Sequence, residues 1–449
     1  MRRHVPRLLP LLAAATLVAC ENQFPTAVDE GLLPVGPVTV EVRLPWSQFA
    51  SNARVLGGFG RADEVGLGFL ANKYQGVLDA RTLLHVGTFP RSAEVVDSAG
   101  TTRTDNDLTF LGGDLMVRFD LNASTNTGPV TIGAGRTLTD WDIHTVDWAN
   151  AVDTLDRTVP WPQAGGGPVA VFGTATWNRS PTEDSVLIKL DSAAVAALAD
   201  TASNRGVRLT IETAGQRLVV LNARLFLTTR PSVHKDTLVS LPVEITDISF
   251  IYTPEPPAPT SGLRVGGIPS WRSVLTVGLP AAVPGTAEAC ARVACPLPLT
   301  LDRINYAGLV LTSRAVEAPY RPSDSLAVEA RAVLAPVSLP KSPLGGSLFV
   351  DGIGRTVGAS LPVAAFQPGG ARTVELPITP LILDLIRGET LAGGFASPTL
   401  ALLSLRCPPE LPGCFESQSL TYAAFQGPGE VGEPYLRLIL TVSGRVELP

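Results

Sequence analysis

The sequence predicts an all-β protein with two tandem antiparallel, jelly-roll-like β-sandwich domains, each with one short helix. Short segments rich in Val, Leu and Thr alternate between apolar and polar residues, which is the period of a strand with one buried face. Gly and Pro number 42 and 39 and supply many turns. Charged residues make up 17% of the chain, below the roughly 25% of ordinary soluble domains. A length of 449 residues with 45% hydrophobic content allows two or three domains with sizeable cores.

A proline-rich segment marks the clearest domain boundary. Four of the ten residues in Tyr252–Ser261 are proline, which favours extended geometry and a semi-rigid spacer. We therefore predict a first domain over residues 36–252, a linker over 253–261 and a second domain over 262–449.

The two halves have the pattern of diverged repeats. The matching segments are 81–90 with 272–280, 108–119 with 304–312, 130–138 with 326–334, and the closing strands 217–228 with 435–442. Each half also contains a strand, a short helix and a returning strand. The first helix is predicted over Ala193–Leu198 with Asp191 or Ser192 as its cap, and the second over Leu381–Ile386 after a Thr379 cap and Pro380.

Three segments have distinctive patterns: the tryptophan-flanked stretch Trp141–Trp148, the arginine-led strand Arg272–Pro280, and Phe425–Leu436, which ends in Pro-x-Leu. Together they resemble the DNRLRE-type domain family of bacterial surface and secreted proteins, which has Glu at the position of Asp142. The second half lacks the tryptophan stretch, and the first lacks the final Pro-x-Leu. The resemblance implies paired antiparallel sheets, and some relatives bind polysaccharide or accompany carbohydrate-active enzymes.

The N-terminus has the anatomy of an export signal. Met1–Arg7 is basic, Leu8–Ala19 carries no charge, and the apolar run is shorter than the about 20 residues of a spanning helix. Leu17–Cys20 resembles the bacterial lipobox, with Val18 at a position that usually holds Ala or Ser. The resemblance implies removal of residues 1–19 and lipid on Cys20. The alternative is an ordinary secretory signal in which the cysteine is incidental.

The residues after the signal are predicted to tether the first domain to a lipid anchor. Residues 20–35 show neither helical nor strand periodicity. Glu21, rather than Asp, follows the cysteine and favours sorting to the outer membrane. We therefore expect a cell-envelope protein that contacts a membrane through its N-terminal lipid.

The other four cysteines form two pairs in proline-rich stretches. Cys290 and Cys295 are one pair, and Cys407 and Cys414 the other. An even number in an exported chain indicates disulfides. Four cysteines allow three connectivities, and we favour the two local ones. The alternative is a zinc site formed by all four thiolates.

Catalytic signatures are missing from the sequence, so we predict that the protein is not an enzyme and needs no metal or cofactor. His85, His144 and His234 lack metal-ligand spacing, and neither a nucleophile elbow nor a phosphate-binding loop occurs. The formal net charge of −6 falls to about −9 when the three arginines of the signal are removed. This charge argues against a nucleic-acid partner.

An acidic stretch with two tryptophans is the candidate ligand-binding site. Trp141, Asp142 and Trp148 are its central residues, and Asp140, Asp147, Asp153 and Asp156 flank them. Rings of this kind stack on sugars while carboxylates accept hydrogen bonds from hydroxyl groups. The alternatives are a Ca²⁺ site, a pair of hydrolytic carboxylates, or an exposed strand and loop with one tryptophan in the core. The last is favoured, because residues seven apart on one strand face opposite sides.

These observations predict a lipid-anchored envelope protein with a structural, adhesive or surface-polymer-binding role. The alternative is an accessory carbohydrate-binding or catalytic component of a polysaccharide-processing system. The possible partners are polysaccharide or another envelope protein.

Overall fold

The computed structural model of the chain describes residues 37–443, except 98, 234–235, 292, 340–341, 391–393, 395, 408–412 and 417–418. The signal peptide, Cys20, the tether and His234 therefore lie outside the described residues. The chain divides into two compact units. The larger comprises residues 43–280 and 306–438, and the described parts of the smaller are 37–42, 281–305 and 439–443.

The N-terminal part of the described chain contains fifteen strands. They are β1 Val38–Pro45, β2 Ala50–Leu56, β3 Gly68–Tyr74, β4 Leu78–Val86, β5 Ala93–Val96, β6 Thr102–Asp105, β7 Leu108–Phe119, β8 Val130–Thr137, β9 Asn150–Thr154, β10 Arg157–Pro160, β11 Val169–Trp177, β12 Ser185–Asp191, β13 Val207–Ile211, β14 Gln216–Pro231 and β15 Val239–Thr253. Its α-helices are α1 Trp46–Phe49 and α2 Ser192–Ala199, and Asp63–Val65 is a 3₁₀ turn.

Thirteen further strands follow. They are β16 Leu263–Gly266, β17 Arg272–Val277, β18 Ala282–Val283, β19 Leu297–Pro298, β20 Ile304–Thr312, β21 Leu326–Val333, β22 Leu344–Ser347, β23 Ala359–Leu361, β24 Thr373–Pro377, β25 Thr399–Arg406, β26 Phe415–Glu416, β27 Tyr422–Phe425 and β28 Tyr435–Val442. The helices are α3 Ala287–Cys290 and α4 Thr379–Arg387, and the 3₁₀ turns are Ala318–Tyr320, Pro336–Ser338 and Val363–Phe366.

Strands β3–β15 form the first sandwich, whose main sheet has the order β11-β8-β13-β4-β15-β14-β7-β12, with β3 beside β14 and β4. Its strands pair in antiparallel fashion. The long strand β15 lies along β14 with its first residues and along β4 with its last, with a register shift between Ile245 and Asp247. It thereby joins one layer of strands to the other.

The core of the first sandwich is filled by alternate residues of these strands. Strand β12 shows the reason, because Val186, Ile188 and Leu190 are buried while Leu187 and Lys189 are exposed. The core residues come from both layers: Leu84, Ile132 and Leu209 from one, and Leu115, Val117, Ile188 and Leu225 from the other.

The second sandwich has two antiparallel sheets. One has the order β2-β17-β25-β21-β22, with β23 and β26 at its margins, and the other has the order β1-β28-β20-β24. The predicted all-β fold of antiparallel β-sandwiches is therefore confirmed. Beyond the one short helix predicted for each half, α1 and α3 add single turns.

Strand pairing follows the same plan in both sandwiches. The order β4-β13-β8 in the first corresponds to β17-β25-β21 in the second, and β12-β7-β14 corresponds to β24-β20-β28. In both comparisons, the corresponding strands contain the segments that were matched as repeats in the sequence.

The N-terminal strands belong to the second of these sandwiches. Strand β2 pairs with β17, from Leu56 opposite Arg272 to Ala50 opposite Val277, and β1 is next to β28. In the first sandwich β15 holds the corresponding places beside β4 and β14. Residues from the predicted first domain thus complete a sheet of the second half. The domain boundaries themselves stay a prediction.

The two predicted helices form, with one difference in capping. The Asp191 carboxylate accepts a hydrogen bond from Ala194 N at 2.8 Å at the start of α2, as expected. Gly388 ends α4 in the left-handed region at φ 83°. Thr379 is the first helical residue rather than the cap, because its hydroxyl accepts from Ala307 N at 2.9 Å, on neighbouring β20.

The proline-rich segment is fastened to the second sandwich. The Tyr320 hydroxyl donates to Pro254 O, and Arg264 Nη1 donates to Pro257 O at 2.7 Å. Burial raises the pKa of Tyr320 to about 12. The segment is therefore held by hydrogen bonds at both of these prolines.

Candidate functional site

The predicted site lies in the tryptophan excursion, which we define as residues 138–168 between β8 and β11. Residues 141–148 form turns and irregular backbone rather than a strand. The expectation that Trp141 and Trp148 face opposite sides of one strand is therefore wrong. Both rings instead pack in one cluster with Leu83 and Ile251, outside the main sandwich core. Leu83 faces this side because its neighbour Leu84 points into that core.

Trp141 is a structural residue of this cluster. Only 7% of its surface is exposed, and its indole Nε1 donates to Arg205 O at 2.7 Å. The His85 ring stacks on it with centroids 4.0 Å apart. One ring face is thus covered and the polar tip is satisfied, which leaves little of this side chain accessible to a ligand.

Trp148 is only half-buried and is held beside an arginine. The Arg81 guanidinium lies 4.9 Å from the ring centroid, a cation–π distance. Trp148 O also accepts a hydrogen bond from Gly165 N at 2.7 Å. Of the two predicted tryptophans, Trp148 is therefore the one with surface left for a ligand.

Two arginines fasten the excursion to the sheet through glycine carbonyls. Arg81 Nη1 donates to Gly165 O, and Arg208 Nη1 donates to Gly167 O. Gly165, Gly166 and Gly167 all have positive φ, between 63° and 90°, which turns the backbone as only glycine does readily. Burial and the neighbouring Arg81 charge lower the pKa of Arg208 to about 10.

The predicted carboxylates organise turns. Asp142 Oδ1 accepts from His144 N at 3.1 Å and from the Thr145 hydroxyl at 2.9 Å. Asp147 Oδ1 accepts from two backbone N–H groups, at 2.7 and 2.6 Å. These are Asx-type turns, which explain so many aspartates in a loop without invoking a ligand.

The flanking acids have other partners or stand in solvent. Asp140 pairs with Arg205 at 2.8 Å, and Asp153 accepts from the Thr158 hydroxyl at 3.0 Å. Asp156 is exposed. Over the described residues, no three His, Cys, Asp or Glu side chains gather closely enough to hold a metal ion.

The two described histidines each face a carboxylate. His144 Nδ1 lies 2.7 Å from Asp63 Oδ2, and His85 Nδ1 lies 3.3 Å from Asp247 Oδ2. Partial burial opposes ionisation of Asp63, but hydrogen bonds from Arg61 and His144 hold the pKa of its carboxyl below the usual range. His85 lies on β4, and its ring packs on the excursion.

The four paired cysteines form the two local disulfides, Cys290–Cys295 and Cys407–Cys414. The favoured connectivity is confirmed. A zinc site of four thiolates is excluded, because these sulfurs are bonded to one another.

A cleft that the sequence did not indicate lies within the larger unit. Its volume is about 700 Å³, and the residues around it come from β3 and β14 on one side and from β21, β23 and β25 on the other. Buried Arg217 is among them. The only signal in the sequence was an arginine at the start of a long apolar strand, which is indistinguishable there from a surface arginine.

Comparison of the chain with known proteins found no match among family models, curated proteins or solved structures. In the part of the chain that the structure describes, no helix has the length and apolar character to cross a membrane.

Proposed function

We propose that this chain is a lipid-anchored lipoprotein of the cell envelope, which acts by structural support, adhesion or capture of a surface polymer rather than by catalysis. The main support for a location in the cell envelope is the pair of disulfides, since such bonds persist in oxidising environments. The basic segment, the apolar run and Cys20 follow one another in the sequence, and this succession independently supports export and lipid attachment. The β-sandwiches supply rigid modules for display.

Mass spectrometry of the mature N-terminus with membrane fractionation tests the anchor. We expect a chain that begins at Cys20, carries acyl groups and sediments with membranes. The Cys20→Ser variant should remain unprocessed and unacylated. An unmodified residue 20 in the wild-type chain, or cleavage at another position, would refute the anchor.

Polymer capture, where it occurs, is best assigned to the surface around Trp148. Its ring is half-buried and oriented by Arg81, whereas Trp141 is enclosed. Binding to polysaccharides in a glycan array should fall in Trp148→Ala and persist in Leu155→Ala, which removes a fully exposed apolar side chain from the same excursion. Equal binding by both variants would remove Trp148 from the proposal. Hydrolysis that disappears on changing one acid would overturn the non-catalytic role.

A further inference from the structure

The junction cleft, defined by Arg217, Asp120, Ser323, Asp324, Thr356 and Ser360, has the dimensions of a small-molecule site. Its volume of about 700 Å³ lies within the roughly 300–1,000 Å³ of ligand pockets. Apolar side chains, including Leu67 and Leu405, contribute to the same walls. A ligand would therefore meet hydroxyl groups, apolar surface and one buried cation.

Arg217 is the unusual member of this lining. Its exposed fraction is 2%, although a guanidinium is charged and strongly hydrated in water. Nη1 reaches Pro319 O only at 3.5 Å, and Nε has no hydrogen-bond partner in the part of the chain that the structure describes. The guanidinium also lies 5.2 Å from the centroid of the Tyr74 ring. Among the described residues no carboxylate pairs with it.

Such a cation is costly to bury without a counter-charge. One long hydrogen bond and one ring contact compensate little of the several kcal/mol that desolvation of an ion costs. Burial accordingly lowers the pKa of the Arg217 guanidinium. By contrast, Arg224 on the same strand is half-exposed and paired with Glu244. An anion next to Arg217 would supply the missing charge.

The two carboxylates of the cleft, Asp120 and Asp324, oppose an anion only weakly, and the exposed Arg406 adds a second positive charge to the lining. Asp120 Oδ1 accepts from Asn122 N and Ala123 N, and Asp324 Oδ1 accepts from Ser325 N at 2.6 Å. Asp324 is exposed, and Asp120 is partly so. Exposed charges are screened by salt and water, whereas a buried charge is screened much less. Arg217 is therefore the buried charge that favours an anion most strongly.

We propose that the junction cleft binds a small organic anion whose carboxylate or phosphate group pairs with Arg217. The rest of the ligand contacts the hydroxyls of Thr356 and Ser360 and the apolar wall. This site is separate from the surface around Trp148 and does not depend on the lipid anchor.

Calorimetric titration of the purified mature chain tests the site, with benzoate, citrate and inorganic phosphate as probes at constant ionic strength. Benzamide, which has the shape of benzoate without its charge, is the neutral comparison. We expect at least one anion to bind and benzamide not to bind. Preference for the two carboxylates or for phosphate distinguishes the head group. Absence of binding by all three anions, or equal binding of benzamide, would overturn the proposal.

Three variants locate the binding. The Arg217→Gln change should lower the affinity for the anion by about tenfold or more, as loss of a charge-assisted hydrogen bond implies. Arg224→Gln should bind like the wild type. Ser360→Trp fills the cleft from an exposed position and should block binding while Arg217 keeps its contacts, so it remains informative where Arg217→Gln fails to fold. Unchanged affinity in Ser360→Trp and in folded Arg217→Gln would place the anion elsewhere.

Discussion

At the residue scale, enclosed Trp141 holds the tryptophan excursion against the sheet. It contributes a large apolar surface, a stacked contact with His85 and a hydrogen bond to Arg205 O. Trp141→Ala should lower the free energy of unfolding by about 3–5 kcal/mol, the usual cost of removing a buried tryptophan. Urea denaturation followed by circular dichroism measures this loss.

The control for this change is Trp148→Ala. Because Trp148 is only half-buried, its loss should cost less than the loss of Trp141. An equal or larger effect of Trp148→Ala would show that burial does not rank these two rings.

Asp105 is a buried carboxylate that fastens the end of β6 to the turn after β14. Its oxygens accept from Asp107 N at 2.9 Å, Val233 N at 3.0 Å, and the backbone N and hydroxyl of Ser232 at 2.5 and 3.0 Å. These hydrogen bonds favour the charged form and hold the pKa of Asp105 below its usual value, against the opposing effect of burial.

The lowered pKa of Asp105 predicts loss of stability in acid. A carboxyl whose folded pKa lies below its unfolded value of about 3.9 stabilises the fold fully above that value, and the contribution is lost as pH falls through the folded pKa. The Tm of the wild-type chain should therefore fall between about pH 5 and pH 2. The Tm of the Asp105→Asn variant should fall less steeply over the same range. Asp107→Asn, two residues away, serves as the control. Identical Tm profiles for Asp105→Asn and the wild type would contradict this role.

At the scale of elements, the N-terminus of α2 depends on Asp191. Its carboxylate accepts the Ala194 N–H, one of the groups that a helix start leaves without an internal partner. Asp191→Ala should cost about 1 kcal/mol of unfolding free energy. Lys189→Ala, exposed on the same strand β12, should change it little. Equal losses in the two variants in chemical denaturation would argue against the cap.

Local signals in the sequence predicted these elements well. Apolar and polar residues alternate along β12 and β28, and the burial of these strands alternates with them. Asp191 and Gly388 lie at the ends of the predicted helices. A strand was wrongly favoured for residues 141–148 because Trp, Ile, Thr and Val have a preference for strands. Backbone N–H groups there bond instead to Asp142 and Asp147, and this competition is not visible in residue propensities.

The candidate site was less predictable than the fold, because it depends on contacts distant in sequence. Trp141 and Trp148 were found by residue type, but their different burial follows from partners such as His85 and Arg81, more than 50 positions away. In the sequence Arg217 could not be distinguished from a surface arginine, since only the folded chain shows that its charge is enclosed and that no carboxylate of the described residues pairs with it.

At the scale of the whole molecule, the N-terminal strands complete the sheets of the C-terminal repeat. The alternation in β1 predicts a strand, but no local pattern states which sheet it joins. The first sandwich is closed by its own strand β15, which follows in sequence, whereas β17 receives β2 from more than 200 residues away. The two repeats thus have the same order of paired strands. They differ in whether the strand that closes the sandwich follows the repeat in the sequence or lies far before it.

This arrangement predicts that damage to β2 weakens the second sandwich selectively. Leu56 packs against the cluster of Val274, Val333 and Ala401. Leu56→Asp should cost about 2 kcal/mol there, and hydrogen exchange in β17, β25 and β21 should accelerate more than tenfold, since about 1.4 kcal/mol corresponds to a factor of ten.

The matched variant in the first sandwich is Ile248→Asp, since Ile248 on β15 packs against that core and lies opposite Leu84. It should accelerate exchange in β4, β13 and β8 instead, and each variant should leave the other sandwich protected. Mass spectrometry of the exchanged peptides separates the two patterns. Equal loss of protection in both sandwiches from either change would mean that they unfold as one unit, and the closing strands would then not set the stability of separate modules.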